Sequence, residues 1–330
     1  MLTIDTHAHW FPPEWVDLIG REGEANGAQV ARNEQGRVLL AAPGVRLKPQ
    51  FSPPYVDIAT RLRLMDEARV DMHALSLTSP MVYWAPPEFG LKLSQVFNDA
   101  CAAVHQKYPN RFVGLAMVPM QAPTLAVQEL DRVAKLPGIR GVYMATHVNG
   151  KNLDEQEFWP VYQRCEALNL GIFLHPVAPV GAERMSKYWL GNFLGNPYET
   201  GIAAASLMFG GVLDAFPKLD VMLPHAGGTF PALIGRMDHG ATVRPECKHM
   251  TKPPSSYLRR FHYDTITHSD TILLNLIRQV GVDRVVMGSD CPADMSYTQP
   301  VSFVECLREL SADEQRAIVS GNAARLLGMA

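Results

Sequence analysis

The chain has 330 residues, 47% of them hydrophobic and 19% charged, with a formal net charge of −3. This length allows a large core, and the small net charge argues against nucleic acid or an anionic membrane as a partner. The N-terminus MLTIDTHAHW lacks the features of a signal peptide, and the longest apolar stretch, 202–213, is shorter than the ~20 residues that span a bilayer. We therefore expect a soluble, cytoplasmic protein.

Short apolar runs alternate with longer amphipathic stretches along the chain. In chain order, the predicted strands are 2–7, 70–78, 111–120, 139–147, 171–176, 219–228, 261–267 and 283–290. The predicted helices between them are 56–69, 91–108, 124–136, 157–169, 204–217 and 269–281, and two more close the chain. Eight alternating units favour an α/β fold whose parallel sheet closes into a (β/α)8 TIM barrel. We expect residues 1–330 to form a single domain.

One segment breaks this alternation. Residues 10–54 separate the first strand from the first helix, and they contain two short strand-like runs on either side of NEQG, a hairpin signal. Loops that follow barrel strands lie at the active face, and a loop this long is uncommon unless it is functional or disordered. We expect residues 10–54 to be a small β insertion that forms a flap.

Polar side chains end several of the predicted strands. His7 and His9 end the first strand, His175 the fifth, His225 the sixth and Asp290 the eighth. The C-terminal ends of barrel strands converge on one mouth, so these side chains point at one small volume. Each has a structural interpretation when taken alone, such as a helix N-cap for Asp290. Their coincidence at one end of a barrel favours a metal site.

The residue types indicate which ion binds and what it does. Imidazole and carboxylate ligands suit Zn²⁺, with Mn²⁺ or Fe²⁺ as alternatives. Three histidines and one carboxylate leave a position open for water or substrate, and His225 then suits the role of proton shuttle. The remaining histidines are expected to be structural, in loops or at the surface, except that His147 can reach the mouth: His73, His105, His147, His239, His249, His262 and His268.

The motifs DTHAHWFP, FLHP, PHAGGTFPALIGRMD and GSDCP resemble the decarboxylase branch of the amidohydrolase superfamily, and within it the 2-amino-3-carboxymuconate 6-semialdehyde decarboxylase family. The resemblance covers nearly the whole chain. It implies a mononuclear site with His7, His9, His175 and Asp290 as ligands and His225 as the residue that activates the metal-bound water. The lysine that bridges two ions in binuclear members has no counterpart in GIRGVYMATHV, which agrees with one ion.

The resemblance also implies how an acid is bound. Arg46 stands where the family has a flap arginine that binds a substrate carboxylate, and Arg236 matches a second arginine contributed across a homodimer interface. Both guanidinium groups are suited to clamp carboxylates, and Trp189 is a candidate pocket residue. The family's Tyr-Pro-Phe after GSD is Cys-Pro-Ala here, and its Trp-Asp-Met-Met after HP is Val-Ala-Pro-Val. The smaller aromatic wall leaves the substrate open.

These features predict a metal-dependent, non-oxidative decarboxylase of an unsaturated or aromatic carboxylic acid, such as an aminocarboxymuconate semialdehyde or a hydroxybenzoate-type acid. His225 or Asp290 would carry the proton that replaces the lost carboxylate. One alternative is hydrolysis of an amide, ester or lactone, or hydration of a related diacid, because the same ligands support both chemistries. A non-catalytic metal-binding protein is the other alternative, which the convergence of five polar residues disfavours.

Overall fold

The computed structural model describes residues 2–34, 38–42 and 52–329, so the flap residue Arg46 lies outside the described residues. At its centre is a sheet of eight parallel strands in which neighbours along the chain are neighbours in space. We number them β1 (Ile4–His9), β2 (Met72–Ser76), β3 (Phe112–Met117), β4 (Ile139–Ala145), β5 (Gly171–His175), β6 (Val221–Leu223), β7 (Phe261–Asp264) and β8 (Val285–Val286).

The sheet closes between β1 and the segment that contains β8. The amides of Thr6 and His9 donate to the carbonyls of Met287 and Cys291 at 3.0 and 2.7 Å, and the amide of Asp290 donates to the carbonyl of residue 7 at 2.9 Å. The predicted (β/α)8 barrel is therefore confirmed. The last barrel segment is less regular than predicted, because only two residues of 283–290 form a strand and Asp290 lies four residues beyond it.

Helices cover the outside of the barrel. They are α1 (Pro13–Glu22), α2 (Pro53–Val56), α3 (Ile58–Glu67), α4 (Pro87–Lys107), α5 (Pro123–Val133), α6 (Trp159–Leu168), α7 (Asn196–Phe209), α8 (Val212–Ala215), α9 (Phe230–Val243), α10 (Asp270–Val280), α11 (Pro300–Glu305), α12 (Ala312–Arg316) and α13 (Asn322–Leu326). The helix predicted over 204–217 was wrong at both ends and is interrupted. Gly211 adopts a left-handed φ of 77°, which a continuous α-helix does not accommodate.

The segment between β1 and α3 contains more structure than the sequence analysis predicted. Strands Gln29–Arg32 and Val38–Ala41 pair antiparallel around the predicted turn. The helix α1 precedes them and was not predicted. Its residues Trp15, Leu18 and Ile19 are buried, at the three- and four-residue spacing that places side chains on one helix face.

The barrel strands bury nearly continuous apolar runs, as is typical of parallel sheets covered on both faces. Strands β3 and β5, FVGLAM and GIFLH, contain no exposed residue. The charged and imidazole groups that are nevertheless buried in the barrel are therefore exceptions that require partners. None of the helices in the described part of the chain has both the length and the apolar composition needed to cross a bilayer.

Candidate metal centre

Four side chains predicted as metal ligands come together at the C-terminal end of the barrel. His7 and His9 belong to β1, His175 is the last residue of β5, and Asp290 follows β8. One ligand atom from each lies within 4.8 Å of the other three. All four residues are buried. Residues separated by up to 283 positions in the sequence thus form one metal-competent cluster.

The hydrogen bonds of these imidazoles fit a metal ion. The Nδ1 atom of His7 lies 2.8 Å from Asp264 Oδ2, whereas its Nε2 is buried without a hydrogen-bond partner. Leaving a buried polar atom unpaired costs about 1–3 kcal/mol, and a coordinated cation removes that cost. The Nδ1 atom of His9 likewise lies 3.0 Å from Ser76 Oγ, and its Nε2 lies 2.8 Å from Asp290 Oδ1. In each ring one nitrogen is held by the protein and the other faces the cluster.

The electrostatics favour the protonation state that binds metals at His9, His175 and Asp290. At His7, burial lowers the pKa, but the hydrogen bond with Asp264 and the charge of Asp290 outweigh it and raise this pKa. Burial lowers the pKa of His9 to about 4, although its hydrogen bond to Asp290 opposes the shift. Burial and the neighbouring His9 and His7 lower the pKa of His175 well below its usual value. Burial raises the pKa of Asp290, but the neighbouring His225 and the hydrogen bond with His9 outweigh it and hold this pKa well below its usual value. Neutral imidazole and ionised carboxylate are the ligand forms.

Asp264 is a functional residue that the sequence analysis missed. It is fully buried at the end of β7, and its Oδ2 pairs with His7. Its Oδ1 accepts hydrogen bonds from the amides of Ala226 and Ile266 at 2.8 and 3.1 Å. A carboxylate in this place fixes the tautomer and orientation of a ligating histidine. The sequence feature that could have identified Asp264 is its position as a charged residue at the end of the strand FHYD.

Asp5 joins the first strand of the barrel to the segment that follows the last strand, beneath the cluster. Its carboxylate accepts hydrogen bonds from the amides of His7 and Ser289 at 3.0 and 3.1 Å and from the Ser289 hydroxyl. Burial raises the pKa of Asp5 to about 6, although these hydrogen bonds oppose the shift. Because Ser289 precedes Asp290, Asp5 ties the carboxylate ligand's segment to the strand that carries two imidazole ligands.

A buried arginine supports the same strand from the side. Arg61 is fully buried on α3 and donates to the carbonyls of His9 and Pro54. Its Nη1 lies 3.3 Å from His73 Nδ1, and His73 Nε2 lies 3.5 Å from Asp5 Oδ2. His73 is therefore structural, as predicted. Burial and the charge of Arg61 lower the pKa of His73 well below its usual value, so the ring is neutral.

A tight turn presents His225 beside the cluster. His225 lies two residues beyond β6 and adopts a left-handed φ of 51°. The turn continues through Gly227 and Gly228, and a Cβ on Gly228 would lie 2.1 Å from the carbonyl oxygen of Pro197. The side chain of His225 is 15% exposed, and its Nε2 lies 3.9 Å from Asp290 Oδ2. The predicted shuttle thus adjoins the predicted ligand.

A cavity of ≈ 460 Å³ opens at this place. His225 and Asp290 line it, together with segments after β6 and β7 and the face of α10. Among the described residues, no lysine or arginine side chain lines this cavity, and neither Trp189 nor Arg236 does. Trp189 is 49% exposed, and Arg236 is exposed on α9. Their substrate-binding roles, like that of Arg46, stay predictions.

The chain matches the family model described as amidohydrolase over residues 4–329. It is 34% identical to the 2-amino-3-carboxymuconate-6-semialdehyde decarboxylase of Dictyostelium discoideum, over 99% of this chain and 92% of the relative. The structure of 5-carboxyvanillate decarboxylase from Sphingomonas paucimobilis superposes with a TM-score of 0.84 at 28% identity, over 100% of this chain and 99% of that one. The structure of dihydroxybenzoic acid decarboxylase from Polaromonas sp. JS666, solved with manganese and 2-nitroresorcinol, superposes with a TM-score of 0.81 at 27% identity, over 99% of this chain and 97% of that one. This chain therefore belongs to the amidohydrolase family, in its decarboxylase branch.

Proposed function

We propose that this chain is a metal-dependent, non-oxidative decarboxylase of an unsaturated or aromatic carboxylic acid. The proposal rests on one observation: His7, His9, His175 and Asp290 form a buried cluster next to His225, and Asp290 and His225 open it to the cavity that they line. The names of the similar proteins support the reaction type. A cavity of this size also lies within the range of about 300–1,000 Å³ that small-molecule sites occupy.

One divalent ion is proposed for the four-residue cluster, with Zn²⁺ first and Mn²⁺ as the alternative. Three imidazoles and a carboxylate suit Zn²⁺. The manganese in the Polaromonas enzyme supports the alternative. When bound, the ion would orient the carboxylate of the acid, or a neighbouring oxygen, and stabilise the negative charge that develops there.

The protein's own contribution to the reaction is the delivery of one proton. A new C–H bond forms at the carbon that bears the carboxylate, the C–C bond to that carboxylate breaks, and CO₂ leaves. His225 lines the cavity and its Nε2 faces Asp290 Oδ2 at 3.9 Å, so one of these two residues carries the proton. Asp264 and Asp5 do not line the cavity; they hold the strand and loop that present the ligands.

Substrate binding and assembly are proposed on the family resemblance. Arg46 would bind a carboxylate from the flap, and Arg236 would reach the site of the partner in a homodimer. Arg236 is exposed and forms no ion pair with any described residue, which is compatible with a role in the partner's site. Large apolar side chains near Trp189 and along α9 are also exposed, which a partner subunit would cover: Val180, Tyr188, Phe193, Leu194, Tyr198, Leu233 and Val243. The cytoplasmic location stays a prediction.

The decisive experiment compares CO₂ release with hydrolysis. The purified chain is stripped of metal, reloaded with Zn²⁺ or Mn²⁺, and incubated with aromatic and muconic acids while absorbance and trapped CO₂ are followed. We expect one equivalent of CO₂ for each acid consumed, only in the loaded protein. Failure to release CO₂ from any of these acids, combined with turnover of an amide, ester or lactone, would favour hydrolysis.

A further inference from the structure

His268 is the one titratable side chain lining the described cavity that the proposed reaction leaves unused. The other two titratable side chains that line this cavity are His225 and Asp290, which belong to the metal centre. The sequence predicts a loop or surface position for His268. It is exposed and follows β7, but it opens onto the same cavity as the metal centre.

A stack of three aromatic rings holds the imidazole in place. The ring of His268 stacks on Tyr297 with centroids 4.8 Å apart and planes 24° apart. Tyr297 in turn stacks on Phe303, with centroids 4.6 Å apart and planes 23° apart. The amide of Tyr297 donates to the carbonyl of Ser289 at 2.8 Å, so the stack is anchored one residue from Asp290. This arrangement fixes the face of the imidazole.

The backbone on either side of His268 is also held. The Thr267 hydroxyl donates to the carbonyl of Ser269 at 2.7 Å, and the Ser269 hydroxyl accepts from the amide of Ile272 at the start of α10. His268 itself adopts a left-handed φ of 52°, which histidine tolerates better than most residues. Neither of its ring nitrogens makes a hydrogen bond to a described residue. A stacked imidazole whose nitrogens bond to no residue in the described part of the chain therefore lines the cavity.

The walls around His268 are otherwise neutral. Their polar side chains outside the metal centre are amides and one hydroxyl: Asn192, Asn196, Thr267, Asn275 and Gln279. Among the polar side chains outside the metal centre, His268 is the one whose orientation a ring stack fixes, and an oxygen atom on the ring of a bound acid is a matching partner for its nitrogens. We propose that His268 is a specificity residue that hydrogen-bonds such a ring oxygen, an inference that rests on the proposed decarboxylase function.

The test measures binding and turnover separately. The metal-loaded full chain is titrated calorimetrically with 2-hydroxybenzoate, 2,4-dihydroxybenzoate and 2,5-dihydroxybenzoate, and CO₂ release from the same acids is followed. His268→Phe keeps a ring that can stack on Tyr297 and removes both nitrogens. His268→Asn keeps a donor and tolerates the left-handed backbone. His249→Phe is the control, because His249 is exposed and does not line the cavity.

We expect the wild type to bind one dihydroxy acid about ten-fold more tightly than 2-hydroxybenzoate, the effect of one hydrogen bond. His268→Phe should lose this preference while binding 2-hydroxybenzoate unchanged, His268→Asn should retain part of it, and His249→Phe all of it. The inference is overturned if the wild type has no preference, if His268→Phe retains it, or if that variant weakens all three acids equally. Loss of the preference without any CO₂ release would refute decarboxylation of these acids and leave the binding role of His268 standing.

Discussion

Asp264→Asn tests whether the metal centre depends on the carboxylate that holds His7. The side chain of Asp264 is fully buried, and its Oδ2 lies 2.8 Å from His7 Nδ1. Asparagine has nearly the same shape but carries no charge. The substitution therefore opens no cavity. With its oxygen towards His7 the amide keeps that contact as a neutral hydrogen bond, and its NH2 group then faces the amides of Ala226 and Ile266, which lose their acceptor.

The size of the effect follows from the type of hydrogen bond. A buried hydrogen bond to a charged group contributes about 1.5–3 kcal/mol, and a neutral one about 0.5–1.5 kcal/mol. The difference of roughly 1–2 kcal/mol corresponds to about a 5- to 30-fold weaker metal affinity, since ~1.4 kcal/mol is tenfold. This agrees with the loss of about 10- to 100-fold that follows mutation of residues behind metal ligands.

The assay is competition for Zn²⁺ with a chromophoric chelator, with thermal unfolding of the stripped protein as a check on folding. Asp220→Asn is the matched control. Asp220 lies 3.2 Å from His262 in a second aspartate–histidine pair. Asp220 immediately precedes β6 and His262 is the second residue of β7, so this pair lies at the opposite end of the barrel. If Asp264→Asn binds Zn²⁺ as tightly as Asp220→Asn does, the reasoning about the carboxylate is refuted.

Three further predictions concern the proposed reaction. His225→Ala should lower kcat by about 10²- to 10⁴-fold, the usual contribution of a proton carrier, with metal content near that of the wild type; loss of the metal would make His225 a ligand instead. His175→Ala should abolish tight metal binding and should melt at the same temperature as the chelator-treated wild type. The melting temperature of that treated protein should lie below that of the metal-loaded protein, because a ligand at 100 times its Kd stabilises the folded state by about 2.7 kcal/mol. Arg236→Ala should be inactive alone but recover about a quarter of wild-type activity when reassociated with His225→Ala, because half of random dimers then contain one intact site; no recovery would exclude the shared site.

Much of the site could be predicted because a parallel barrel converts sequence position into spatial position. An alternation of strands and helices places every strand end at one mouth, so His175 and Asp290 could be assigned to the same volume as His7 and His9 without any knowledge of contacts. These ligands are polar residues after apolar strands, which is a signal that a single sequence contains. The position of His225 beside the cluster followed from the same rule.

Only the tertiary structure decided which groups support that cluster. The contact of Asp264 with His7 and that of Arg61 with His73 join residues that no periodicity relates, and each depends on how strands and helices pack. The orientation of the His268 ring likewise depends on its stack with Tyr297, a residue from another barrel unit. The sequence by itself determined the barrel and the metal-competent residues at its mouth, because both follow from local pattern and strand order. The partners of each buried charge were settled by packing, because hydrogen bonds depend on distances that only the folded chain defines.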